Sequence, residues 1–226
     1  MSEERLEKSL ALRREDFLTI LAKGLSGAVP FVGPLLAEIF GAVIPHQRLD
    51  RFREFVQVFE ERVAQLEIDQ EVFAERFVRP EFVDIFEDGA SQAVRALSQE
   101  RRKYLANLLA EGLSEEKLEH ARAKKLLRIL ESLTDQEIIY LKYFSLLDRG
   151  EENEFYDQHE SLLEPRDTSY GASTEEFDQA ALQEAYEQTL VRFGLVQPEE
   201  RSVTWLGRLL LRYIDSYVEE EEEETE

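Results

Sequence analysis

The stretch GLSGAVPFVGPLLAEIFGAVIP, Gly24 to Pro45, carries one charged residue, Glu38, in a chain of which 34% is charged. Unbroken, it would be long enough to cross a membrane. Pro30, Gly33 and Pro34 instead divide it into arms of about ten residues, half of the roughly 20 that a spanning helix needs. Proline inside a helix removes a hydrogen bond and costs about 3 kcal/mol. The spacing therefore predicts a hairpin over 17–44, with VPFVGP as its turn and Pro34 opening the second arm. That arm is apolar nearly all round, the pattern of a buried helix. Gly27, Ala28, Gly41 and Ala42 would let helices approach closely. A secretory leader is not expected, because MSEE replaces the basic n-region and a polar helical run precedes the apolar one. The residues expected to make a core, oligomer or membrane contact are Val29, Phe31, Val32, Leu35, Leu36, Ile39, Phe40, Val43 and Ile44.

The flanking sequence is helical in pattern. Upstream, Ser2 is placed to cap SEERLEKSLALRREDFLTILAKGL, with Glu3 and Glu4 in its first turn. Downstream, Leu49, Phe52, Phe55, Val56, Phe59, Val63 and Leu66 recur at steps of three and four, one stripe of a helix over Gln47–Ile68. DQEVFAERFV and EFVDIFEDGASQAVRAL predict two helices separated at Pro80. Ser98 is placed to cap SQERRKYLANLLAEGL, with Gly112 expected as its stop. Ser114 opens SEEKLEHARAKKLLRILESL, and Thr134 to Glu137 is a capping box for DQEIIYLKYFSLL. Residues 1–148 are thus expected as one helical bundle around the apolar hairpin.

Residues 149–173 predict a loop or linker with at most one helical turn. A second capping box, Ser173 to Glu176, opens a helix expected to reach Phe193 and stop at Gly194. A polar turn around Pro198 and a closing helix through Leu206, Leu209, Leu210, Tyr213 and Ile214 complete a subdomain over 174–218. Residues 219–226 form an acidic tail.

Charge and composition narrow the function. Residues 1–124 hold 18 basic and 23 acidic side chains, whereas residues 125–226 hold 9 and 26. That field repels phosphate backbones and anionic lipid, and favours solubility or a basic protein partner. The absence of cysteine excludes disulfides, thiolate metal sites and a Cys nucleophile. His46, His120 and His159 are far apart. Glu116 and His120 share a helix face, and Asp157, His159 and Glu160 lie close in sequence, but both sets have the spacing of solvated pairs rather than of a metal centre. The glycines at 24, 27 and 33 are not followed by Gly-Lys-Ser/Thr, so no phosphate loop is present. Carboxylate pairs are too numerous for any to stand out as a general acid and base. Arg101-Arg102-Lys103 and Arg122-Lys124-Lys125-Arg128 are interleaved with acids, as solvated helix faces are. The chain reads as a non-enzyme without metal or cofactor.

Two resemblances bear on this reading. LVRFGLV, a polar turn and SVTWLGRLLLRYI resemble the end of a winged-helix domain, with its Thr-x-x-Gly before the closing helix. In that family the helix before the wing reads DNA. Here that helix carries Glu175, Glu176, Asp178, Glu184 and Glu187 against Arg192, the wrong sign for phosphate contact. The resemblance therefore implies protein binding or a structural role. The middle of the chain, SQERRKYLANLLAEGL through LLRILESLTDQEIIYLKYF, is similar to bacterial helical proteins, among them the alpha-type abortive-infection family of phage defence.

The expected fold is all-α: a multi-helix bundle around the apolar hairpin, a small winged-helix-like C-terminal subdomain and an acidic tail. The expected function is that of a cytoplasmic, bacterial interaction or regulatory protein, an accessory of phage defence or stress. Its partner is a protein, basic by charge complementarity, or a second copy. One alternative is a membrane-active effector that inserts Gly24–Pro45 on a trigger. Another is a DNA-binding regulator, which the charge disfavours.

Overall fold

The computed structural model describes residues 46–66, 72, 75, 76, 79–114, 120–166, 168, 169 and 171–215. Regular structure among them is helical: α1 His46–Gln65, α2 Pro80–Arg95, α3 Gln99–Ser114, α4 His120–Ser132, α5 Asp135–Leu147, α6 Asn153–Leu163, α7 Thr174–Arg192 and α8 Trp205–Ile214. The chain is all-α, and extended pairing among the described residues is limited to a bridge between Val196 and Val203. The expected hairpin over 17–44, its contact residues Val29, Phe31, Val32, Leu35, Leu36, Ile39, Phe40, Val43 and Ile44, and the tail over 219–226 lie outside the described residues. Contacts divide the chain into two compact units within α4, between Leu127 and Arg128.

In the first unit, α1, α2 and α3 pack on one another. The stripe read from α1 supplies Phe52, Phe55 and Phe59 to the core, and Val56, Val63 and Leu66 stay half-buried. Those rings meet α2. Phe86 lies 5.9 Å from Phe55 and stands edge-on to Phe59 at 5.4 Å, geometry in which the ring edge of one faces the π-cloud of the other. Pro80 is the first helical residue of α2, where its missing N–H is no loss. Ser98 caps α3 by accepting from the Arg101 N–H at 3.1 Å. Along α3, Leu105, Leu108, Leu109 and Leu113 are fully buried, making it the central helix.

Gly112 does not end α3. The helix runs to Ser114 and encloses Gly112 in the core. Its last carbonyls are satisfied from another part of the chain, because Arg76 donates to Leu113 O at 3.0 Å and to Ser114 O at 2.5 Å. With the orphan carbonyls met by a side chain, no left-handed glycine is required.

In the second unit α5 is the hub, packing against α6, α7 and α8. Thr134 and Glu137 form the expected capping box: the Glu137 N–H donates to Thr134 Oγ1 at 3.2 Å, and the Thr134 N–H donates to Glu137 Oε2 at 2.6 Å. Ile138, Leu141 and Phe144 then bury one face of α5.

Residues 149–173 are not an uninterrupted loop, since they contain α6, with a kink at His159 (φ −120°, ψ 18°). Its inward face is short: Leu163 is buried, and Phe155, Tyr156, His159 and Leu162, at helical spacing, are half-buried. Polar contacts from other helices add to it. The Tyr140 hydroxyl donates to Leu162 O at 3.0 Å, and Gln183 Nε2 donates to Leu162 O and Glu164 O, both at 2.8 Å. Tyr143 and Tyr156 pack ring to ring at 5.9 Å. Partners on α5 and α7 thus satisfy the carbonyls that the end of a helix leaves open.

Candidate interaction surface

The C-terminal end of the second unit is built by two caps and one close approach. Ser173 and Glu176 form the expected capping box at the start of α7. At its end Gly194 takes a left-handed conformation (φ 70°), and the Leu195 N–H reaches back to Leu190 O at 2.9 Å. The chain turns through Gln197–Ser202, closed by the Gln197 N–H to Ser202 O at 2.9 Å, with Arg201 also at positive φ (54°). Thr204 then caps α8 through Oγ1, which accepts from the Gly207 N–H at 3.1 Å and donates to Gly194 O at 2.7 Å. A Cβ at position 207 would lie 2.3 Å from Leu195 O, so this crossing admits glycine alone. Here the Thr-x-x-Gly spacing has a local cause: the threonine caps, and the glycine lets α8 lie against the turn.

This scaffold presents two faces. On α7 only Leu190 is fully buried, while Phe177 is 47% and Leu182 53% exposed. Ala181 and Ala185 are exposed between them, and Glu175, Asp178 and Glu184 are exposed alongside. The result is an apolar strip flanked by acids. On α8, Leu210, Tyr213 and Ile214 are buried and Trp205 is 87% exposed. Arg208 and Arg212 are exposed on the same side, three and seven residues beyond Trp205. The Arg208 guanidinium lies 5.8 Å from the Trp205 ring centroid, within cation–π range. α8 contains no acidic residue, in the more acidic part of the chain.

The scaffold holds these faces with polar contacts to α5. Asp148 Oδ2 accepts from the Val203 N–H at 3.1 Å and lies 3.7 Å from Arg208. Lys142 pairs with Asp215 at 2.7 Å, fixing the C-terminal end of α8. Burial, with Glu187 and Tyr186 close by, pushes the Tyr140 hydroxyl up to about 12. Burial also raises Glu187, opposed by its ion pair with Arg201 at 3.1 Å.

The other residues singled out from sequence are dispersed. His120 meets Asp84 at 3.3 Å and Glu81 O at 3.1 Å, while Glu116 lies outside the described residues. His159 stacks on Phe155 at 4.5 Å, with Asp157 and Glu160 exposed. Burial, with Lys142 nearby, holds its imidazole below the usual histidine range. The basic clusters are divided by burial and pairing. Arg102 is buried and donates to Glu54 at 2.6 Å and to Ala96 O at 3.0 Å. Lys124 pairs with Asp84 at 2.6 Å. Among the described residues no three His, Asp or Glu side chains gather as a metal set, and no helix is long and apolar enough to cross a membrane.

Comparison with known proteins returned no match to a family model, to a curated protein or to a solved structure.

Sequence reasoning identified α7 and its acids but missed the stripe on α8. Val203–Trp205 reads as an apolar run, and runs of that kind are usually buried. The i, i+3, i+7 spacing of Trp205, Arg208 and Arg212 is the signal that would have found it.

Proposed function

We propose that the chain is a non-enzymatic interaction protein of regulatory type that docks a basic helical segment of a partner protein on the outward face of α7. The observation that carries this reading is the exposure of Phe177 and Leu182 beside Glu175, Asp178 and Glu184. Apolar anchors supply the area of such a contact, and the surrounding charge selects the partner and orients it. The winged-helix-like reading of 174–218 is supported by the turn bridged at Val196 and Val203 and by the Thr204 cap. In this reading the subdomain binds protein rather than DNA, because its acidic helix repels phosphate. A role as an accessory of bacterial defence or stress, acting in the cytoplasm, follows from the resemblance of the middle helices.

The test is binding of a basic amphipathic helical peptide to the full chain by calorimetry, with Leu182→Asp as the comparison. Loss of binding in a variant that keeps its helical circular dichroism supports the docking face. Equal binding by both proteins removes it.

The Gly24–Pro45 stretch supports a second reading, an effector that inserts this segment into a bilayer on a trigger. Dye release from liposomes across lipid charge and pH tests it. Release abolished by Phe40→Asp in a folded protein favours the effector. Silence in every condition favours the interaction protein.

A further inference from the structure

We infer that the basic segment docked by α7 is α8 of a second copy of this chain. The inference rests on reading α7 as a docking face and names the occupant. Both halves of the contact are present in one molecule. Trp205, Arg208 and Arg212 stand at i, i+3 and i+7 on the exposed side of α8. Glu175, Asp178 and Leu182 stand at i, i+3 and i+7 on the exposed side of α7. Such spacing keeps each set on one helix face, and its ends are about 10.5 Å apart along the axis.

Laid antiparallel, the two sets match in order and in chemistry. Trp205 falls opposite Leu182, Arg208 opposite Asp178 and Arg212 opposite Glu175. The middle pair is offset by about 1.5 Å along the axis, well within the reach of an arginine. Among the described residues Arg212, Glu175 and Asp178 have no ion-pair partner within the chain, while Arg208 has a long one to Asp148 at 3.7 Å. Among the described residues the contact would cover Trp205, the most exposed large apolar side chain, together with Leu182. A parallel arrangement keeps Arg208 opposite Asp178 but sets Trp205 against Glu175 and Arg212 against Leu182, losing both end matches. A twofold dimer makes the contact twice, whereas a one-way arrangement gives an open chain of copies.

Trp205 is the single tryptophan, so intrinsic fluorescence reads this contact directly. The experiment follows Trp emission and sedimentation of the full chain from about 1 µM to about 1 mM, at about 0.15 M salt to screen the repulsion between acidic molecules. The expected result is a concentration-dependent blue shift that coincides with the rise in mass. Trp205→Ala, a change at an exposed position, should weaken self-association in sedimentation. Arg208→Glu with Arg212→Glu should weaken it at least tenfold, and adding Glu175→Arg with Asp178→Arg should restore it to within a few-fold.

A monomer at every concentration overturns the inference while leaving α7 free to dock a foreign helix. Self-association without a Trp shift, or indifferent to both Trp205→Ala and the charge reversals, overturns it as well. Failure of the wild-type chain to bind any basic peptide, together with Leu182-independent self-association, would remove the docking face itself.

Discussion

The two units differ in how many large apolar side chains they leave outside. The first directs phenylalanines from α1 and α2 inward around Phe55 and Phe86, and Leu97 is its exposed large apolar side chain among the described residues. The second leaves Leu147, Phe177, Leu182 and Trp205 facing solvent and secures its helices with caps and side chains that donate to backbone carbonyls. Large exposed apolar side chains rimmed by charge mark contact surfaces. Both units bury an apolar core, and the second adds outward apolar side chains beside charge.

The largest expected break in that contrast is Phe86→Ala. It removes the ring that joins α1 to α2 and should cost about 3–5 kcal/mol. Hydrogen exchange should lose protection over 46–114 and keep it over 135–214. Equal loss in both regions would show that they do not respond separately. Next is Gly207→Ala, which forces a methyl group against Leu195 O. It should cost about 1–3 kcal/mol, appearing as lost protection in α8 and the Gln197–Ser202 turn, and wild-type stability would refute the close approach.

Thr134→Ala tests the framework more gently. Loss of the capping box should lower stability in denaturant by about 1 kcal/mol, with the effect centred on α5. A further effect appears only in alkali. The neutral Tyr140 phenol is favoured in the fold, where its pKa is pushed up to about 12, against about 10 when unfolded. Its contribution is therefore complete below pH 10 and is lost as pH rises from 10 through 12. Tyr140→Phe should flatten that part of the stability–pH curve, and an unchanged slope would place the titration elsewhere.

The legible parts of this protein are those whose cause is local. Both capping boxes, the Ser98 cap, Pro80 at a helix start and Gly194 at a helix end each involve residues only a few positions apart. The phenylalanine stripe of α1 was equally readable, because burial of one helix face imposes its own period. The all-α class follows from these features together. The charge asymmetry also pointed to α7 as an acidic face.

Tertiary structure decided what local rules leave open. Gly112 is an expected stop that Arg76 overrides from 36 residues upstream, by donating to the carbonyls at the end of α3. α6 has only a short inward face, and Tyr140 and Gln183 meet the carbonyls at its end from other helices. The exposure of Trp205 depends on which side of α8 faces α5, a choice made by the Gly207 crossing and the Lys142–Asp215 pair. Sequence by itself determined most of the helices, their N-terminal caps and the sign of the charge, since these depend on neighbours along the chain. Only the folded chain decided which helix ends are satisfied from afar and which apolar side chains are left outside, since those depend on neighbours in space.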